Sequence, residues 1–145
     1  MNIFTNIFLI GFLAYSVSSF LFGMNKRKNP FGLSRFFLPL GSFVWIDNVV
    51  FGAFFSLVSV ICLLTRQFIL FWLVFSVFWL IRSIGEQMYW FHEQFTTVHR
   101  NHPNSLWPYR WFKGQEVWVV MQIFWQCVAV ISLISSFYFL KVWLL

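Results

Sequence analysis

The stretch Gln67–Gln94, QFILFWLVFSVFWLIRSIGEQMYWFHEQ, decides how the chain is read. From Gln67 to Ile81 it carries no ionisable side chain and is dense in Phe, Leu, Val and Trp. It then places Arg82, Glu86, His92 and Glu93 in quick succession. About 20 apolar residues in a helix cross the hydrocarbon core of a bilayer. The stretch therefore reads as a spanning helix that emerges carrying much of the chain's ionisable chemistry.

The composition agrees. Of 145 residues, 60% are hydrophobic, 24% aromatic and only 10% charged, whereas a soluble domain carries about 25% charged residues. Too few charges are present to cover a surface facing water. The net charge of +6 comes from short basic clusters between apolar runs, the pattern that encodes membrane topology. No nucleic-acid-binding motif accompanies it, so nucleic acid is not an expected partner.

Three further apolar runs flank the first. The expected spans cover residues 3–22, 43–64, 68–88 and 118–140, joined by loops at about 24–42 and 92–116. The first span lacks a positive region before it; its basic cluster, Lys26-Arg27-Lys28, follows it, which fits a retained helix rather than a cleaved leader. Thr65-Arg66-Gln67 leaves room only for a tight turn, so the second and third spans are expected to be antiparallel neighbours. Pro30, Gly32, Pro39 and Gly41 break the first loop into a segment too short to span, with an apolar piece expected in the membrane interface.

Lys and Arg set the expected orientation. Lys26, Arg27, Lys28 and Arg35 lie in the first loop; Arg82, Arg100, Arg110 and Lys113 lie in or lead into the other long loop. Only Arg66 and Lys141 fall on the opposite side. This asymmetry predicts two cytoplasmic loops with both termini outside. The expected fold is a single, all-α membrane domain of 145 residues, a polytopic four-transmembrane-helix bundle, N-out/C-out. A bacterial cytoplasmic (inner) membrane is the expected location.

Small and polar residues at helical spacing predict the packing faces, because they let helix backbones approach and can hydrogen-bond across helices. These stripes are Gly11, Tyr15, Ser18 and Phe22; Asn48, Gly52, Ser56 and Ser59; Ser76, Ser83 and Gln87; and Gln122, Gln126, Ala129, Ser132 and Ser136. Cys62 and Cys127 fall at different depths on this topology, on the order of 15 Å apart, beyond disulfide reach. Both are expected to be free thiols filling small spaces in the core.

Depth along the spans brings Asp47, Asn48, Arg82 and Glu86 within one or two turns of the cytoplasmic surface, with Gln122 at the same level and Gln126 one turn deeper. Intramembrane carboxylates mark a functional site by default. The six residues are therefore the candidate substrate- or ion-binding site of a small oligomeric protein handling an ion or small solute. The competing reading is structural: Arg82 reaches to the interface, Glu86 sits among the headgroups, Asp47 pairs with Arg82 to lock the bundle, and the chain is an accessory or assembly subunit of a larger membrane complex. The expected partners are the bilayer and either further copies of the chain or another membrane protein.

A third possibility is an interfacial metal or lipid-headgroup enzyme using His92, Glu93, His99 and His102, since zinc sites use His and carboxylate ligands. The pattern lacks the second histidine of HExxH, and no GxSxG elbow or glycine-rich phosphate loop is present. The sequence leans against catalysis without deciding it, and no cofactor is expected. Leu106–Gly114, LWPYRWFKG, mixes aromatic rings with basic groups, which suits an interfacial anchor or a docking strip for a partner.

Overall fold

A computed structural model describes residues 2–34, 36–98 and 106–145 of the chain. Among them it holds four long helices and no strand: α1 (Ile3–Asn25), α2 (Trp45–Thr65), α3 (Phe68–Phe95) and α4 (Glu116–Leu144). All four are long and apolar enough to cross a membrane. The protein is an all-α integral membrane protein. Its third helix runs beyond residue 88, carrying His92 and Glu93 as helical residues, and its fourth runs beyond 140. Apolar length alone cannot fix such ends, because a helix leaving the bilayer keeps its own backbone bonds.

The chain divides into two compact units. The first holds α1, α2 and the start of α3 as far as Val74. Its α1–α2 contact is a close approach of backbones at glycine. A Cβ added at Gly52 would stand 2.6 Å from the backbone nitrogen of Phe20 and 2.8 Å from the carbonyl oxygen of Ser16. A Cβ at Gly23 would meet Val49 and the carbonyl of Trp45 at 2.7–2.9 Å. Above this crossing sits an aromatic cluster, with the Phe12 ring edge-on to Phe55 at 5.6 Å and to Phe71 at 4.9 Å.

The buried stripe of α1 differs from the expected one. Leu9, Ser16, Ser19 and Gly23 are buried, whereas Gly11, Ser18 and Phe22 are exposed. Two stripes of small residues run side by side along this helix, and the demand for backbone contact at Gly52 selects the one holding Ser16. On α2 the expected Asn48, Gly52 and Ser59 are buried, together with Phe55, Val58 and Cys62.

The connection between α1 and α2 folds back on the helices. Leu33 pairs with Val44 as an isolated antiparallel bridge, and Ser34 N donates to Phe43 O at 2.8 Å. The Tyr15 hydroxyl donates to the carbonyl of Phe36 at 2.8 Å. Phe37, buried, lies against the rings of Tyr15 and Phe22. A 3-10 turn at Leu38–Leu40 and a left-handed Gly41 then lead towards α2. Backbone groups packed against other elements need internal partners, and these bonds supply several.

The second unit runs from Phe75 to Leu144. Here α3 and α4 meet through indoles: Trp79 stacks on Trp125 at 6.3 Å and Trp90 on Trp118 at 5.9 Å. The buried face of α4 includes Trp118, Met121, Trp125, Ser132 and Ser136, so large rings replace the amides expected in its first half. Two buried serines of this unit are satisfied locally: Ser83 and Ser136 donate to the carbonyls of Trp79 and Ser132 one turn back. That back-bonding lets a hydroxyl sit in an apolar helix. Both cysteines are free, but only Cys62 is buried; Cys127 is exposed rather than a core residue, because it lies off the Trp125–Ser132 face.

Candidate functional site

Asp47 and Asn48 belong to the first unit. Asp47 stands in the first turn of α2, and its Oδ2 accepts from the backbone nitrogens of Phe43 at 3.1 Å and Val44 at 3.4 Å. The first N–H groups of a helix have no partner within it, and a carboxylate there also meets the positive end of the helix dipole. Asp47 therefore starts the helix.

Asn48 is fully buried. Its Oδ1 accepts from the Ser34 hydroxyl at 2.9 Å, and its backbone carbonyl accepts from Ser19 Oγ at 3.4 Å. One asparagine thus ties α2 to α1 and to the folded-back connection. Its Nδ2 has no hydrogen-bond partner, the unspent capacity of this knot. Neither Ser19 nor Ser34 was among the sequence candidates. Ser19 falls at i−4 of Gly23 on the alternative stripe, but nothing local to Ser34 announces a contact fourteen positions away.

Arg82, Glu86, Gln122 and Gln126 belong to the second unit. Arg82 and Glu86, one turn apart on α3, form an ion pair with Nη2 to Oε1 at 3.1 Å, both side chains being mostly buried. With the outer boundary of the bilayer placed at Phe68, Arg82 lies about 21 Å along the helix and Glu86 about 27 Å, just inside a hydrocarbon core of about 30 Å. An ion there is costly unless paired, and the spacing places its partner on the same face.

Gln87, Met88, Phe91, His92 and Gln122 line a shallow, open groove between α3 and α4. Gln87 Nε2 donates to the carbonyl of Trp125 at 3.3 Å across the helix pair. The structure thus brings Gln122 together with His92, a residue singled out for a different chemistry. Gln126 is exposed and stands outside this groove. Glu93 is buried while His92 is exposed, so the two diverge on the helix. Among the described residues no group of three or more His, Cys, Asp or Glu is placed to hold a metal; His99 and His102 lie outside the described residues.

Compared with family models, curated proteins and solved structures, the chain matches none of them.

Proposed function

We propose that this protein is a non-catalytic accessory subunit of a larger membrane complex, in which its polar residues hold the helices and its apolar faces meet lipid and a partner. The observation that carries this reading is how its charges are engaged. Asp47 accepts from the backbone at the start of α2, and Arg82 is paired with Glu86. Charges committed in this way support a fold and leave less for a passing solute. The orientation that goes with the reading is N-out/C-out in a bacterial cytoplasmic membrane, supported by the eight-to-two division of Lys and Arg.

One observation favours a second reading, an oligomer handling an ion or small solute: the groove that gathers Gln87, His92 and Gln122. The variants D47N and E86Q separate the two. The accessory reading expects poor accumulation and loss of the complex, with no selective change in flux. Variants that assemble as the wild type does, yet abolish Na⁺, K⁺, H⁺ or Cl⁻ flux in proteoliposomes, establish the transport reading instead.

A further inference from the structure

The segment Leu106–Lys113 is built as a compact turn. Trp107–Arg110 form a 3-10 helix with Pro108 buried, and Trp111 N and Phe112 N both donate to the Pro108 carbonyl, at 3.0 and 2.9 Å. The Trp107 ring meets Phe124 of α4 edge-on at 6.2 Å and Trp111 at 5.9 Å. Trp107 and Trp111 nevertheless remain 53% and 69% exposed, large apolar areas that water would not favour.

Helix length fixes the depth of this contact. The 29 residues of α4 measure about 44 Å against a hydrocarbon core of about 30 Å. At the far end Lys141 must reach polar surroundings, which leaves roughly 6 Å of helix beyond the core there. The remaining excess, about 8 Å, covers the first five or so residues after Glu116. Phe124 then lies at the top of the acyl layer, and Trp107 packed against it lies at the headgroup boundary. The two cations of the segment are Arg110, which closes the 3-10 turn and is exposed, and Lys113, whose Nζ lies 4.4 Å from the centre of the Tyr109 ring. That cation–π contact holds the ammonium back over the turn, on the stretch that also bears Arg110.

We infer that Leu106–Lys113 is a binding site for an anionic phospholipid, its phosphate held by Arg110 and Lys113 and its acyl chains lying along Trp107 and Phe124. A zwitterionic headgroup offers the same phosphate with its charge cancelled, so the site discriminates by net charge. This inference is independent of the accessory reading.

The test is lipid retention. Purified protein in mild detergent is given equal amounts of phosphatidylglycerol and phosphatidylcholine, and the lipids bound to the intact protein are counted by native mass spectrometry. The wild type is expected to prefer phosphatidylglycerol. R110Q/K113Q is expected to lose about fivefold of that preference for each charge removed, R110K/K113R to keep it, and K26Q/R27Q/K28Q to retain the share due to this site. If R110Q/K113Q fails to accumulate, 0.5 M salt applied to the wild type replaces it, and the preference is expected to fall. A wild type without preference, a preference untouched by R110Q/K113Q or by salt, or a protein bound stoichiometrically through this segment in place of lipid overturns the inference.

Discussion

Replacing Gly52 by alanine adds one methyl group at the tightest point of the α1–α2 crossing. The new Cβ would lie 2.6 Å from Phe20 N, 2.8 Å from Ser16 O and 3.0 Å from Phe20 Cα. All three are backbone atoms, so no side-chain rotation relieves them. Ordinary van der Waals contact begins near 3.4 Å, and reaching it requires the helices to part by about 0.8 Å here. A radial gap of that size already forfeits a quarter to a half of each neighbouring contact's attraction. Overpacking of this kind costs about 1–3 kcal/mol. Gly11→Ala and Gly85→Ala are the controls: a Cβ at either position meets nothing within 4 Å, and alanine is favoured over glycine within a helix by about 0.5–1 kcal/mol. Equilibrium unfolding in mixed detergent micelles, followed by tryptophan fluorescence, should therefore show effects of opposite sign. A Gly52→Ala protein as stable as Gly11→Ala would refute the close crossing and, with it, the assignment of Ser16, Ser19 and Gly23 as the buried face of α1.

Three further expectations follow from the first unit. A double-mutant cycle on Ser34→Ala and Asn48→Ala should give a coupling of about 0.5–1.5 kcal/mol, the range for a hydrogen bond between packed membrane elements; a coupling indistinguishable from zero removes the tie. Tyr15→Phe deletes only the hydroxyl that holds the Phe36 carbonyl; it should cost about 1 kcal/mol and speed protease cleavage between residues 29 and 42, and unchanged cleavage would contradict the folded-back connection. Arg66 caps α2 in the left-handed region at φ 56°, so Arg66→Gly should raise stability by about 1 kcal/mol in the same unfolding assay. A loss would mean that the arginine side chain matters more than its backbone conformation.

The helices were legible because a bilayer imposes a length and a polarity that composition satisfies in only one way. Faces were harder. α1 carries Gly11 and Ser18 on one line and Ser16, Ser19 and Gly23 on the next, and small residues announce both equally. Only the partner backbone at Gly52 chooses between them. On α4, Gln122 and Gln126 looked like packing residues because amides can bond across helices, yet Trp118, Met121 and Trp125 take the buried face. Buried area outweighs one hydrogen-bonding group when the facing helix offers Trp79 and Trp90 to stack upon. Of the candidate site, the Arg82–Glu86 pair follows from an i,i+4 spacing on one helix face. The engagement of Asp47 with Phe43 and Val44, and of Asn48 with Ser34, depends on how a broken loop returns to its helix, which no periodicity records.

The central claim is that the protein acts by joining a larger assembly, and the most direct measurement is the mass and composition of the complex extracted from native membranes in a mild detergent. The account predicts a second, larger membrane protein present at a fixed ratio, lost together with the assembly in D47N and E86Q. Recovery of this chain only with copies of itself, in a defined number and with ion flux on reconstitution, would contradict it.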